Sequence, residues 1–166
     1  MNPRIIFKPA FTVVGLLQDD QKDDASIDEL WLRLGSRFHE IEGVDPDVGY
    51  GVHFSKDDGN QFLIGFSVQQ NGPIPKGMTA IHFEAKEYAV FTHQGTLDRI
   101  DDTLSVFYCD WLPTSGYQQE GTYYFEVYDD RFVPNSPDSV IAIYVPLKQT
   151  AGFGISEIAT SQRGRQ

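Results

Sequence analysis

The sequence carries the same order of elements twice, and this repeat restricts the fold more than any other feature. Residues 3–72 and 79–148 each contain an extended strand, an amphipathic helix and then two further strands. The opening strands match at equal internal spacing, with Ile5, Phe7 and Val14 corresponding to Ile81, Phe83 and Val90. A unit of this size cannot bury both its sheet and its helix alone, so we expect the two units to join.

Each predicted helix has one apolar stripe. Apolar side chains recur at i, i+4, i+7 and i+11 in both repeats, at Ile27, Trp31, Leu34 and Phe38 and again at Ile100, Leu104, Phe107 and Trp111. Ser26 is a candidate N-cap for the first helix, while Asp98 and Asp101 lie at the start of the second. The stripes predict that each helix packs against a sheet along one side.

These patterns predict an α+β fold. It consists of duplicated strand-helix-strand-strand units with pseudo-twofold symmetry, about eight mostly antiparallel strands and two main helices. We expect residues 1–149 to form a single domain, because 166 residues are too few for two ordinary ones. Residues 150–166 show no helix or strand periodicity and are predicted to be a flexible C-terminal tail.

The aromatic run at residues 123–128 has a carboxylate in its middle. In a strand, alternation places Tyr124, Glu126 and Tyr128 on one face. An acid between two rings suits an apolar cation, although an amphipathic strand with its Glu in water has the same pattern. We expect Val52 to be the counterpart of Glu126 in the first repeat, so the fold itself does not demand the acid.

Composition narrows the classes of partner. The formal net charge of -11 argues against a nucleic-acid-binding surface and favours cationic ligands, although acidity also serves solubility. Cys109 is the single cysteine, which excludes an internal disulfide and indicates a reducing compartment. Lys8 and Pro9 interrupt any signal-peptide core, and no apolar run approaches membrane-spanning length. We expect a cytoplasmic protein without membrane contact.

Motifs for metal or cofactor chemistry are missing from the sequence. The four histidines, His39, His53, His82 and His93, show no close pairing with other ligand-type residues, and no HExxH occurs. GxSxG, P-loop and GxGxxG patterns are also missing. We therefore predict no metal, no cofactor and no dedicated catalytic residue.

The second repeat resembles the effector-binding domain of AraC-type, multidrug-responsive bacterial transcription activators and of GyrI-like proteins. Four blocks carry the resemblance in the family's order: residues 88–95, 111–117, 125–132 and 141–146. Similarity extends over about residues 3–148 and is strongest after Ala80. The resemblance implies the SOUL/GyrI-like effector-binding fold, in which two strand-helix-strand-strand units surround a ligand cleft.

The resemblance also implies binding residues. In that family an acid in the F-E-x-Y block is a main binder of aromatic cations, and this residue corresponds to Glu126. Family pockets use aromatic side chains as well, for which the candidates here are Tyr124, Tyr128, Trp111, Tyr50, Phe54, Tyr88 and Tyr144.

The activators carry a helix-turn-helix unit before this domain, and we expect this protein to lack that unit. It looks like a standalone form, similar to cationic-drug-binding proteins of integron cassettes, so we expect no direct nucleic-acid contact. Its partners are expected to be a small cationic ligand and either a separate DNA-binding protein or further copies of the chain.

The predicted function is binding of amphipathic or aromatic cationic compounds, in multidrug sensing or resistance. Two alternatives stay open. One is a GyrI-like hydrolase of strained-ring DNA-alkylating natural products, with Glu126 as general base. The other is an interaction protein that modulates gyrase.

Overall fold

The computed structural model describes residues 1–19, 25–57, 59–69 and 72–150. Within these ranges it contains nine strands and two α-helices. The strands are β1 Arg4–Lys8, β2 Phe11–Asp19, β3 Val44–Lys56, β4 Gly59–Val68, β5 Thr79–Phe83, β6 Lys86–Gln94, β7 Tyr117–Gln119, β8 Tyr123–Tyr128 and β9 Val140–Gln149. The helices are α1 Ile27–Gly35 and α2 Ile100–Val106. Of the predicted tail, only Thr150 lies inside the described residues.

The sheet confirms the predicted duplication. Its strand order is β1-β6-β9-β8-β3-β4-β2-β5, with β7 beside β9, and every pair is antiparallel. Exchanging β1 with β5, β2 with β6, β3 with β8 and β4 with β9 reverses this order and leaves it otherwise unchanged. A pseudo-twofold axis therefore passes between β3 and β8, where the two repeats meet.

The predicted opening strand of each repeat is divided into a short strand and a long one. The first break lies at Pro9 and Ala10, where proline lacks an N–H for the ladder, and the second at Glu84 and Ala85. Each short strand pairs with the other repeat, since β1 pairs with β6 and β5 with β2. The repeats thus exchange their first strands.

Helix α1 begins as its sequence predicts. The Ser26 hydroxyl accepts a hydrogen bond from the Glu29 backbone N–H at 3.1 Å, and Glu29 Oε1 accepts one from the Ser26 N–H at 3.4 Å, which forms a capping box. Leu30 and Leu34, on the side of the helix that faces the sheet, are buried. The helix ends at Gly35, so Phe38 lies in a separate helical turn.

Helix α2 is short and continues into a π-helical turn, Phe107–Trp111. Its predicted apolar stripe is confirmed, because Ile100, Leu104 and Phe107 all pack in one cluster with strands β6 and β9. None of the helices in the described ranges has the length and apolar character that crossing a membrane requires.

The sheet curls so that its ends approach its middle. Four strand spacings separate β5 from β8, which would be roughly 19 Å in a flat sheet. The rings of Phe83 on β5 and Tyr123 on β8 nevertheless lie 5.2 Å apart. Aromatic and aliphatic side chains fill this concave side, among them Val13, Tyr50, Leu63, Tyr88 and Phe125.

Both helices pack on the convex side. Leu30 and Leu34 of α1 pack with Val14 and Ile64, whereas the cluster under α2 belongs to the other half of the sheet. Strands β3 and β8 lie between these two clusters, at the centre of the sheet. The residues that they direct to the convex side form the floor of the region between the helices.

Candidate ligand-binding cleft

The floor between the helices is built from one side of the β3–β8 pair. Residues that pair directly in antiparallel strands point to the same face. Three pairs face the helices: Gly49–Tyr128, Gly51–Glu126 and His53–Tyr124. We call these six residues the floor, and the floor with the cavities on either side of it the central cleft.

Two floor glycines leave room for larger neighbours. A Cβ atom at Gly51 would lie 3.2 Å from Glu126 Oε1 and 3.2 Å from the Tyr128 ring. A Cβ atom at Gly49 would lie 2.9 Å from the ring of Trp31. The side chains of Glu126, Tyr128 and Trp31 therefore extend over glycine positions, where an added methyl group would crowd them.

Glu126 is a buried carboxylate, with 4% of its surface exposed. The Tyr128 hydroxyl donates a hydrogen bond of 2.5 Å to Oε1, and His53 Nε2 lies 3.2 Å from Oε2. Within the described ranges, no Lys or Arg forms an ion pair with this carboxylate. Burying a carboxylate without a permanent positive partner costs several kcal/mol. Binding of a cation beside Glu126 would offset this cost.

The two floor tyrosines stay protonated over a wide pH range. Burial raises the pKa of Tyr128, and the adjacent Glu126 carboxylate raises it further. The pKa of Tyr124 is raised by the same two causes, with burial again the larger. Tyr128 therefore donates to Glu126 as a neutral phenol and adds no positive charge beside the carboxylate.

His53 completes the floor beside the carboxylate. Its ring stacks on Tyr124 with centroids 4.6 Å apart and planes 12° from parallel, and the ring of Phe62 lies 4.6 Å away on β4. The Nε2 atom is buried and, in the described part of the chain, makes no aligned hydrogen bond. Its distance to Glu126 Oε2 is short enough for an ion pair, but the ring N–H direction does not suit a hydrogen bond.

Two cavities border the floor. The first has a volume of about 450 Å³ and lies between α1, Leu97 and the segment after β8; its apolar wall includes Trp31, Tyr128 and Phe132. The second, of about 360 Å³, is lined by His53, Tyr124 and Phe62 together with polar side chains. Ile27 borders both cavities. Glu126 lies on the floor between Tyr128, which lines the first cavity, and His53, which lines the second.

Seven of the eight predicted site residues separate into two groups. Glu126, Tyr124 and Tyr128 lie together on the floor. Four others, Tyr50, Phe54, Tyr88 and Tyr144, pack in the concave core on the opposite face of the sheet, although Phe54 also borders the second cavity. Tyr50, Tyr88 and Tyr144 therefore share no surface with Glu126, and Phe54 reaches the central cleft only at the second cavity.

The expected alignment of Val52 with Glu126 is wrong. Val52 pairs with Phe125, and Glu126 pairs with Gly51, so Val52 and Glu126 point to opposite faces of the sheet. A shift of one residue reverses the face of every side chain in a strand, and the repeat pattern alone does not fix that shift. The residue that faces the helices beside Glu126 is a glycine.

Trp111, a further predicted site residue, packs away from both cavities. Its ring stacks on Phe107 at 5.2 Å in the cluster under α2. Trp31 lines the first cavity instead, with its ring edge 5.6 Å from Tyr128. The sequence held a signal for this, since Trp31 corresponds to the smaller Leu104 in the second repeat.

His53 was considered in the sequence only as a metal ligand. Its position two residues after Gly51, on the strand that pairs with β8, is what brings it to Glu126. No group of three His, Cys, Asp or Glu side chains in the described ranges is arranged to hold a metal ion.

Comparison with protein families identifies one match over most of the chain. Residues 1–148 match the model of the GyrI-like small molecule binding domain. The predicted resemblance to this family is thereby confirmed.

One curated relative of this chain is a transcriptional regulator. BrlR of Pseudomonas aeruginosa is 37% identical over 150 residues, which are 89% of this chain and 56% of BrlR. The chain thus spans about half the length of this relative.

Solved structures share the fold at low sequence identity. SAV2435, solved in complex with tetraphenylphosphonium, has a TM-score of 0.68 and 17% identity, with 89% of this chain and 94% of that chain covered. An integron cassette protein from Vibrio cholerae has a TM-score of 0.56 and 16% identity, covering 88% of this chain and 95% of that chain. The predicted α+β architecture is confirmed by these neighbours.

Proposed function

The chain belongs to the GyrI-like small-molecule-binding family, and from this premise we propose that its central cleft binds amphipathic aromatic cations with Glu126 as the charged anchor. The observation that carries the proposal is the state of Glu126: a carboxylate that is 4% exposed, lies among aromatic rings and has a neutral phenol as its hydrogen-bond donor. A bound cation would supply the positive charge that this carboxylate lacks.

The rings around the carboxylate suit such a ligand. Trp31 and Tyr128 present aromatic surface to the first cavity, and ring faces attract cations by about 0.5–2 kcal/mol per contact. The volume of about 450 Å³ lies within the range of roughly 300–1,000 Å³ that is usual for small-molecule pockets. Tyr128 lies between this cavity and the carboxylate, so we infer that its side chain rotates when a ligand reaches Glu126.

Two further facts support a cationic ligand. The formal net charge of -11 attracts positive ligands toward the protein at low ionic strength. SAV2435, which shares the fold, was solved with the lipophilic cation tetraphenylphosphonium. That ligand is accordingly a suitable first probe for this chain.

We also propose a place for this binding in gene regulation. BrlR is a transcriptional regulator, and this chain matches about half of its length. The ligand-bound domain would then act together with a DNA-binding unit, in sensing of toxic cations.

Isothermal titration calorimetry with tetraphenylphosphonium and with triphenylphosphine oxide tests the proposal. The two ligands share three phenyl rings, but only the first carries a positive charge. We expect the cation to bind and the neutral compound to bind at least tenfold more weakly. Equal affinities, or no binding of the cation, would contradict the proposal. Mass spectrometry of strained-ring candidate compounds after incubation with the protein separates binding from hydrolysis, because a binding protein returns its ligand unchanged.

A further inference from the structure

The imidazole of His53 has the surroundings that an aromatic cation would have in this cleft. One face of the ring stacks on Tyr124 at 4.6 Å, and Phe62 lies at the same centroid distance in a tilted orientation. The Nε2 atom lies 3.2 Å from Glu126 Oε2. Two aromatic rings and a carboxylate thus contact a five-membered heteroaromatic ring.

These contacts hold the His53 ring more weakly than two hydrogen bonds hold the ring of a structural histidine. Its Nε2 is buried without a hydrogen bond in the described ranges, whereas 31% of the side chain as a whole is exposed. His93 provides the contrast, since it is 2% exposed, with Nδ1 at 2.7 Å from Thr103 Oγ1 and Nε2 at 2.8 Å from the Thr96 carbonyl. The His53 ring therefore loses no aligned hydrogen bond of Nε2 when it leaves its place.

A path for that movement is open. His53 lines the second cavity, of about 360 Å³, so its ring can turn outward into existing space. One wall of the position it would vacate is the flat face of Tyr124, 12° from the imidazole plane, and Phe62 forms a second wall inclined by 48°. At its inner end lies the carboxylate of Glu126.

We propose that His53 occupies a subsite for planar heteroaromatic cations, bounded by Tyr124, Phe62 and Glu126, and that such ligands bind by displacing its imidazole. The inference rests on the proposed function of the cleft and adds a ligand class and a specificity-determining residue to it. Rounded cations such as tetraphenylphosphonium are too thick for this subsite and use the first cavity. Planar cations use the place of the His53 ring, so the size of residue 53 decides between the two classes.

The first experiment removes the resident ring. The full chain with His53→Ala is titrated with 1,3-dimethylimidazolium, a planar cation of permanent charge, and with 1-methylpyrazole as the neutral ring. We expect the cation to bind the variant at least tenfold more tightly than it binds the wild type, with no such gain for the neutral ring. Equal affinity of the cation for both proteins, or an equal gain for the neutral ring, would overturn the proposal.

A matched substitution controls for general effects of losing a histidine. His82 is exposed on β5, away from the floor, and His82→Ala is expected to leave the affinity for dimethylimidazolium at its wild-type level. A gain as large as that of His53→Ala would overturn the proposal. Combining His53→Ala with Glu126→Gln should remove the gain, because the carboxylate supplies the charge.

The second experiment leaves the wild-type chain intact and does not depend on how the alanine variant folds. The ring C–H resonances of His53, assigned by comparison with His53→Gln, are followed by NMR during titration with N-methylacridinium. Displacement removes the ring from the ring currents of Tyr124 and Phe62, so we expect its resonances to move while those of His82 stay in place. The proposal would be overturned if the His53 resonances stay unchanged at saturation with N-methylacridinium. It would also be overturned if N-methylacridinium does not bind. Binding of tetraphenylphosphonium reports separately on the proposed function.

Discussion

Tyr128 donates a hydrogen bond of 2.5 Å to Glu126, two residues earlier in the same strand. Residues two apart in a strand share a face, so β8 itself brings the phenol and the carboxylate together. The phenol satisfies one carboxylate oxygen without neutralising its charge. This combination places a carboxylate in the protein interior without a Lys or Arg partner among the described residues.

Replacing Glu126 with Gln should lower the affinity for a cationic ligand without lowering the free energy of unfolding. We expect the affinity for tetraphenylphosphonium to fall by about 10- to 100-fold, which corresponds to about 1.4–2.7 kcal/mol. The free energy of unfolding should stay the same or rise by about 1 kcal/mol, because a buried charge is removed and the amide oxygen can still accept from Tyr128. Calorimetry and urea unfolding measure the two effects. Glu87→Gln, the same change at an exposed residue of β6, should alter neither, and undiminished affinity in Glu126→Gln would contradict the anchor role.

Tyr128→Phe keeps the ring and removes the donor. We expect the unfolding free energy to fall by about 1–3 kcal/mol, since hydrogen bonds to charged groups contribute that much and the carboxylate loses a partner in a buried place. Tyr124→Phe is the control, because the bond to Oε1 comes from Tyr128 and the stacking on His53 is retained. Equal losses in the two variants, measured by urea unfolding, would show that the Tyr128 hydroxyl has no special part.

Stability should fall at alkaline pH. Burial raises the pKa of Tyr108 to about 12, and burial together with Glu126 raises the pKa values of Tyr124 and Tyr128. A phenol with a raised folded pKa binds its proton more tightly in the folded state, so its contribution is complete below the ordinary pKa of about 10 and is lost above it. Each group adds a slope of up to about 1.4 kcal/mol per pH unit.

Urea unfolding between pH 8 and pH 11.5, together with tyrosinate absorbance, measures this loss. We expect a decline only above about pH 10, and a shallower decline in Tyr128→Phe because one of the contributing phenols is gone. A free energy of unfolding that stays constant to pH 11.5 would exclude the raised pKa values.

Glycine at position 51 leaves space on the floor for the side chains of Glu126 and Tyr128. In Gly51→Ala the new methyl group would lie 3.2 Å from both Glu126 and Tyr128, and we expect a loss of about 1–3 kcal/mol in stability together with weaker binding. Gly35, the last residue of α1, has no heavy atom within 4 Å of such a methyl group. Gly35→Ala should therefore stabilise the protein by about 0.4–1 kcal/mol. Thermal and urea unfolding compare the two variants. A Gly51→Ala variant as stable as the wild type, with unchanged ligand affinity, would refute the assignment of the floor.

Ligand binding should be visible in the fluorescence of one tryptophan. Trp31 lines the first cavity, whereas Trp111 stacks on Phe107 under α2. We expect tetraphenylphosphonium to change the emission of the wild type and of Trp111→Phe, and to leave that of Trp31→Phe almost unchanged. The reverse result would place the ligand beside α2, as the family resemblance implies for Trp111.

Local patterns in the sequence predict much of this structure. Alternation in residues 123–128 and the stripe of α2 depend on neighbouring residues, and the capping box at Ser26 depends on residues three apart. The stripe of α1 was only partly right, because Leu30 is buried instead of Ile27 and Phe38 lies beyond the helix. The face on which Tyr50 lies depends on how β3 pairs with a strand more than 70 residues away, and a shift of one position reverses it. The contact of His53 with Glu126 follows from that pairing and was unpredictable for the same reason.

The exchange of β1 and β5 gives the domain the architecture of a strand-swapped dimer contained in one chain. Each repeat completes its sheet with the first strand of the other, so neither sheet half is finished by its own sequence. Loss of the first eight residues would uncover the outer edge of β6, a row of unpaired backbone groups that can recruit another chain. The short strand β1 thus pairs with the backbone of β6 and replaces it at the edge of the sheet.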